Sequence, residues 1–522
     1  MPMAAPAGQW TIGGLLETAG GFLREKGFES PRLDAELLLA ETLGLDRIQL
    51  YTQYDRPLTT AEVDRYRALI ARRAAHEPVA YILGRAHFRR LSLEVGPGVL
   101  IPRPETEELV EAALELLVRR PPWDDPGKVG AGTGRPGRPL VADAGTGSGA
   151  IALSLAQEAG ARVLATDTST EALAVAARNA AALGLDDVVE LVTADLLSGV
   201  GDGTLHLVVS NPPYVTSGEM AGVAPDIRLF EPAAALDAGP DGLDAIRRLL
   251  PEAARALRPG GSVLLEVGDR QAAAVEALAL ESGFAVVTIH KDLSGKERIV
   301  EARLPGAFVL DTESLDERRL AALRGALEAG AVIGVPTDTV YGVAARWDSA
   351  AGMQALLAAK GRSPQQSVAA LFASVDDVKR LLPDLKPAAA RVMEALLPGP
   401  YTFVVSTSVA RAPAVGTADS LGVRVPDHAA LLEVLGRLGA PLAATSGNKT
   451  GEKDPTGVED VDPLVLASCS VALTAPTGAG VAGTASTVVD LRPLSAGAAP
   501  AVLREGAVPG AQVLDRIAAL GL

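Results

Sequence analysis

One cysteine, Cys469, stands in a chain of 522 residues. That excludes an intramolecular disulfide and any cysteine-rich zinc or iron–sulfur site. Its setting, Leu466-Ala467-Ser468-Cys469-Ser470, reads as small core residues. The five histidines (His76, His87, His206, His290, His428) are scattered with no H-x-x-x-H pairing, so no metal ligand is assigned. A basic-then-apolar leader and a run of transmembrane length are both missing, and the expectation is a soluble cytoplasmic chain without a membrane partner. Positive charge is also in deficit. Lys plus Arg number 48 against 64 Asp plus Glu, a formal net charge of −16. This excludes a protein that grips nucleic acid with its whole surface, while leaving room for a small basic groove. The composition is 48% hydrophobic and 21% charged, which excludes disorder throughout. At about 150 residues per domain the length suggests three or so folding units.

The first 75 or so residues read as helical. Leu15, Leu16, Ala19, Phe22 and Leu23 recur at helical spacing, as do Leu33, Leu37, Leu38 and Ala40 after Ser30-Pro31. A third helix is predicted from Thr60 to about Ala75, and Gly84 to Pro97 alternates as a hairpin does. Residues 121–139 are dense in Pro and Gly and read as a flexible surface insertion. Their Gly132-Thr133-Gly134 imitates a nucleotide loop, yet no apolar strand leads into it.

From Leu140 the pattern becomes strand–loop–helix. Strands are predicted at 140–143, 162–167, 204–210 and 262–267, which means a mostly parallel, doubly wound sheet with ligands at the carboxyl ends of its strands. Around Leu304-Pro305-Gly306 the pattern resets. A helix over about 314–329 then leads to the apolar strand Ala331-Val332-Ile333-Gly334-Val335. No internal repeat relates the two halves.

Asp143-Ala144-Gly145-Thr146-Gly147-Ser148-Gly149 lies between a strand and a helix. Glycines at alternate positions let backbone approach a ligand, and the helix start offers free N–H groups. Asp167 ends the next strand, where a carboxylate accepts hydrogen bonds from a ribose diol. These features alone allow NAD or S-adenosylmethionine. Asn211-Pro212-Pro213-Tyr214 selects the second. A planar amide or exocyclic amine is a poor nucleophile, so a site that methylates one must accept its N–H hydrogens and aim the nitrogen at the methyl group. The Asn211 side-chain oxygen and the Pro212 carbonyl suit that task, and Tyr214 suits stacking on the planar group.

Over residues 10–303 the chain resembles the release-factor glutamine methyltransferase family (PrmC/HemK). The resemblance rests on Pro31-Arg32-Leu33-Asp34-Ala35-Glu36-Leu37-Leu38, Pro78-Val79-Ala80-Tyr81-Ile82-Leu83-Gly84, Ile101-Pro102-Arg103-Pro104-Glu105-Thr106-Glu107, the glycine loop, the Asn211–Tyr214 motif, and Lys291-Asp292-Leu293 with Arg298. It implies an S-adenosylmethionine-dependent enzyme that methylates the glutamine side-chain amide in the GGQ loop of peptide-chain release factors. The helical segment would help hold the release factor. The cofactor's methionine part would lie on Gly145, Thr146, Gly147, Ser148 and Gly149, its ribose on Asp167 and its adenine by Leu196. Asn211 would border the cofactor and, with Pro212, Pro213 and Tyr214, hold the acceptor amide. Ile101–Glu107 would line the mouth. Asp195-Leu196 departs from relatives, which carry an aromatic after the acidic residue.

A second set of motifs begins at Pro336-Thr337-Asp338-Thr339-Val340-Tyr341-Gly342, straight after a strand. Lys360 and Arg362 follow, two cations suited to a polyphosphate. Then come Leu397–Thr402, Val423–His428, Thr445-Ser446-Gly447-Asn448, Ser486–Asp490 and Arg504-Glu505-Gly506. In this order they resemble the YrdC-like threonylcarbamoyl-AMP synthase family over about residues 307–515. That family makes threonylcarbamoyl-AMP from L-threonine, bicarbonate and ATP with Mg2+, for tRNA modification. The resemblance puts Thr337 and Arg424 near threonine. It puts Lys360, Arg362, Ser446, Asn448 and Arg504 near ATP, and Ser486 and Thr487 between them. The tRNA link would be weak or indirect.

The expected fold class is therefore α/β. A helical segment (1–75) precedes a doubly wound, Rossmann-like class I methyltransferase sheet (76–303). A linker (304–312) and a YrdC-like twisted-sheet domain (313–522) follow. Two alternatives stay open at this level. The Asn-Pro-Pro-Tyr motif is shared with adenine-N6 DNA methyltransferases, against which the acidic chain argues. The second half could instead be a non-catalytic nucleotide- or RNA-binding module.

Overall fold

The computed structural model describes residues 10–121, 138–361, 368–412, 415–449, 452–475 and 481–522. Most of the Pro/Gly-rich insertion, including Gly132-Thr133-Gly134, and Arg362 lie outside the described residues.

The N-terminal helices begin where local chemistry dictates. Thr11 accepts the Gly14 N–H at the start of Ile12–Glu25, and Thr59 with Glu62 forms a reciprocal cap on Thr60–Ala74. Pro31 opens Pro31–Leu43, and Gly44 closes it in the left-handed conformation. Leu15, Leu16 and Leu23 pack against Leu38, Leu39, Tyr66 and Ile70, all fully buried. The second helix departs from its apolar pattern, because Leu33 is 40% exposed while Asp34 and Glu36 are buried. Arginine partners reverse the expected preference. Asp34 pairs with Arg73 at 2.7 Å, and Glu36 with Arg32 at 2.7 Å and Arg47 at 2.8 Å. A hairpin, Arg85–Phe88 with Leu91–Glu94, follows as predicted.

Among the described residues the first large sheet has seven strands. In spatial order they are Val189–Thr193, Arg162–Asp167, Leu140–Ala144, Leu205–Ser210, Leu257–Glu266, Glu297–Arg303 and Val286–Lys291. The first five run parallel, and the last two are antiparallel to their neighbours. The order reverses between Leu140–Ala144 and Leu205–Ser210, which opens a crevice beyond their carboxyl ends. The glycine loop leaves one of those strands and Asn211 leaves the other.

Among the described residues the second large sheet has ten strands of mixed direction. One of its two edge strands is Phe308–Asp311, parallel to Cys469–Thr474, so these residues are sheet rather than the expected linker. Leu310 is buried against Leu320, Leu323 and Leu473, which holds this short segment extended. The change from one sheet to the other falls between Arg303 and Phe308. The two halves meet there. Arg120, at the end of the helix Pro104–Arg119, donates to Gly260 O at 3.0 Å and to Ala467 O at 2.7 Å, and Arg303 donates to the same Ala467 oxygen at 3.2 Å. No helix among the described residues is long and apolar enough to cross a membrane.

Candidate active sites

Gly145, Gly147 and Gly149 have φ of 77°, 57° and 84°, a region that disfavours any side chain. A Cβ at Gly145 or Gly147 would meet no atom within 4 Å, whereas one at Gly149 would stand 3.0 Å from Leu153 Cδ1. The first two glycines thus leave open space for a ligand. The third admits the packing of the helix Ala150–Ala159, which it caps.

The space they face is a cavity of ≈ 740 Å³. Gly145, Thr146, Gly147, Ser148, Asp167, Leu196, Asn211, Pro212 and Pro213 line it. Gly149 and Tyr214 are not among its lining residues. Asp167 holds the loop shape, with Oδ2 accepting the Gly147 N–H at 2.9 Å and Oδ1 the Ser169 N–H at 2.9 Å. Leu196 has φ 51°, and its carbonyl accepts the Thr166 hydroxyl at 2.7 Å. Beneath the loop, Asp143 is fully buried, and its Oδ2 accepts from Thr146 Oγ1 at 2.6 Å. Burial pushes its carboxyl up to about 7.

On the acceptor side, Asn211 Nδ2 donates to Thr106 Oγ1 at 2.9 Å, and Thr106 Oγ1 donates to Glu266 Oε2 at 2.7 Å. The Tyr214 hydroxyl reaches the other Glu266 oxygen at 3.3 Å, pointing the phenol toward the strand instead of over the cavity. Burial, then the adjacent Glu266 charge, pushes Tyr214 up to about 12. Glu231 clasps the mouth, accepting from Arg103 Nη2 at 2.5 Å and the Ile101 N–H at 3.1 Å. Motif reading singled out neither Glu266 nor Glu231. The only trace of the first is an acidic residue ending the apolar run Val263-Leu264-Leu265.

The second sheet has its own cavity of ≈ 410 Å³, which Thr337, Arg424, Ser446, Ser486 and Arg504 line. Arg424 is 7% exposed; it donates to Thr339 Oγ1 at 2.6 Å and pairs with Asp338. Burial lowers its affinity for the proton, and the Asp338 charge opposes that. Thr337 Oγ1 donates to Val340 O at 2.6 Å and accepts two backbone N–H groups, which shapes the loop. Thr402 Oγ1 lies 2.8 Å from Ser486 Oγ, and Arg504 Nη2 donates to Ser486 O at 2.8 Å.

Three expected members stand elsewhere. Lys360 is 3% exposed, and its ammonium donates to Ser446 O at 2.6 Å, to Asn448 Oδ1 at 3.2 Å and to Asn448 O. An ammonium has three donors and no acceptor, and the oxygens of this turn satisfy them. Asn448 in turn accepts from the Ser446 hydroxyl and donates to Glu452 O. Thr487 is fully buried, its hydroxyl on Val508 O at 2.5 Å. None of the three lines the cavity. Asp338 and Thr402 lie inside the Pro336–Gly342 and Leu397–Thr402 motifs, which gave neither residue a role.

Three family models match the chain: the PrmC N-terminal domain over residues 14–84, the methyltransferase small domain over 136–238, and the Sua5/YciO/YrdC model, described as telomere recombination, over 325–506. A release factor glutamine methyltransferase of Geobacter sulfurreducens is 40% identical over 296 residues, covering 56% of this chain and 97% of that protein. The same-named protein of Moorella thermoacetica is 44% identical over 274 residues, 52% of this chain and 91% of the relative. Among solved structures, P. abyssi Sua5 complexed with L-threonine is 27% identical with a TM-score of 0.36, and the match spans 40% of this chain and 60% of that one. With a C-terminal Sua5/YciO/YrdC domain attached, the chain belongs, through its N-terminal part, to the release factor glutamine methyltransferase family.

Proposed function

We propose that the chain is a bifunctional enzyme. Its first half transfers a methyl group from S-adenosylmethionine to the side-chain nitrogen of the release-factor GGQ glutamine. Its second half forms threonylcarbamoyl-AMP from L-threonine, bicarbonate and ATP. The observation that carries the first reading is that the glycine loop and Asn211 face one cavity at the reversal of strand order.

The residues present fit the cofactor. Two glycines leave open backbone, and Asp167 presents a carboxylate at the neighbouring strand end. Bound there, S-adenosylmethionine supplies an electrophilic methyl group on a sulfonium. The chain's own part is orientation. Asn211 Oδ1 and the Pro212 carbonyl accept the two N–H hydrogens of the substrate amide, which turns its nitrogen toward the methyl. Alignment of this kind is worth orders of magnitude in rate without a metal or a covalent intermediate.

In the second half, Thr337 and Arg424 receive the amino acid, while Arg504 with Ser486 faces the nucleotide phosphates. Guanidinium and hydroxyl groups fit an anion, and Mg2+ would arrive on the triphosphate as part of the substrate.

The test is a paired assay on the intact chain. With labelled S-adenosylmethionine, the label is expected on the GGQ glutamine of a release factor; label in DNA alone overturns the first reading. ATP–pyrophosphate exchange is expected to require both threonine and bicarbonate. Retained ATP binding without exchange overturns the second and favours a binding module.

A further inference from the structure

Glu266 ends the strand Leu257–Glu266, is 1% exposed, and does not line the cavity. It therefore cannot touch a substrate. It is nevertheless two hydrogen bonds from the group proposed to hold one. The Thr106 hydroxyl has a single proton, and the 2.7 Å contact gives that proton to Glu266 Oε2. Toward Asn211, 2.9 Å away, Thr106 can then only accept. An amide facing an acceptor must present its NH2 group, so the carbonyl end of Asn211 is left for the cavity.

We propose that Glu266 is a positioning residue for methyl transfer: through the Thr106 hydroxyl it determines which end of the Asn211 amide faces the substrate. This rests on the reading that Asn211 Oδ1 accepts from the acceptor amide. Reverse the amide, and Asn211 presents a donor to the donor N–H groups of the substrate. Two donors facing each other in a dry site leave both unsatisfied.

The relay works only while Glu266 is ionised. A protonated carboxyl can donate to Thr106 Oγ1, freeing the Thr106 proton to turn toward Asn211 and stabilise the reversed amide. Burial holds the Glu266 carboxyl above the usual range, and the Glu105 charge adds to this. The hydrogen bonds from Thr106 and Tyr214 and the Arg298 charge act the other way. These groups stand on the helix Pro104–Arg119, on the Asn211–Tyr214 loop and on the strand Glu297–Arg303. Methyl transfer should thus fall as pH drops through this raised value.

The decisive variants are Glu266→Gln, which keeps shape but offers an amide NH2 to Thr106, and Thr106→Val, which removes the hydroxyl. Each is expected to lower kcat at least tenfold, with KM for the release factor and the S-adenosylmethionine Kd changed less than twofold. The double variant should be no worse than the poorer single one, as for residues acting in one chain. Thr106→Ser should recover most of the rate, and Glu266→Gln should lose the acid limb of the kcat profile. Hydrogen exchange of the Asn211 side-chain NH2, followed by nuclear magnetic resonance, should quicken at least tenfold in both single variants. Full kcat in Glu266→Gln, multiplicative losses in the double variant, or unchanged Asn211 exchange would overturn the proposal. If the unmodified chain transfers no methyl to a release factor, the functional reading fails, and the Asn211 exchange still decides the relay.

Discussion

Arg73 and Asp34 stand 39 residues apart in sequence and meet as a buried pair, Nε to Oδ2 at 2.7 Å. The Arg73 guanidinium also lies 4.2 Å from the centre of the Phe28 ring and 3.5 Å from Asp226. Asp226 belongs to the helix Pro225–Phe230, which leads to the cavity-lining Pro232. One cation therefore joins two N-terminal helices to the segment that runs on into the cavity lining. Removing one partner of a buried pair leaves the other charge uncompensated, at a cost of about 3–5 kcal/mol. Arg73→Met is expected to weaken the helical bundle by that amount. Amide hydrogen exchange in Thr60–Ala74 measures it, and unchanged protection would show that the pair contributes nothing net.

Asn211→Ala should abolish methyl transfer while cofactor affinity stays within a few-fold. The alanine keeps the loop but has no oxygen to accept the acceptor N–H. Equilibrium binding of S-adenosylmethionine separates the two effects. A large loss of affinity would make Asn211 a cofactor ligand first.

Arg424→Ala should remove threonine-dependent ATP–pyrophosphate exchange and leave methyl transfer untouched, since Arg424 lines only the second cavity. Lys360→Ala should also act on the second half alone, but through stability. It withdraws the ammonium that ties Ser446 to Asn448. A lower melting temperature of that half, with loss of exchange, is the expected signature. Loss of exchange at full stability would assign Lys360 to phosphate binding after all.

His206 offers a pH test. Burial pulls its imidazole down to about 4, while Nδ1 accepts the Leu140 N–H at 2.9 Å. The unfolded chain binds this proton near pH 6.5, so it holds more protons than the folded chain between about 6.5 and about 4. The stability His206 contributes is present in full above that window and is lost as pH falls through it. In His206→Asn an amide oxygen can replace Nδ1 and nothing titrates. The variant should lose less melting temperature than the parent from pH 7 to pH 4. Parallel profiles would refute the assignment.

Much of the architecture was legible. Strand–loop–helix alternation, the Ser30-Pro31 helix start and the alternating hairpin are local features, and local geometry follows local sequence. The three loop glycines were legible too, because a left-handed backbone leaves few other choices. Other features were hidden. Phe308–Asp311 looked like a link because four residues carry little periodicity; only the neighbouring Cys469–Thr474 makes them a strand. The burial of Asp34 and Glu36 was not legible either, because charge alone cannot announce its partner.

By itself the sequence determined the motif sets, their order and the families they resemble, since backbone conformation and chemical type are written position by position. Tertiary structure alone decided which groups share a proton. Thr106 and Glu266 are 160 residues apart, and Lys360 lies 88 from Asn448. Hydrogen bonds depend on distance and direction at the ångström scale, which chain closure sets and residue spacing does not.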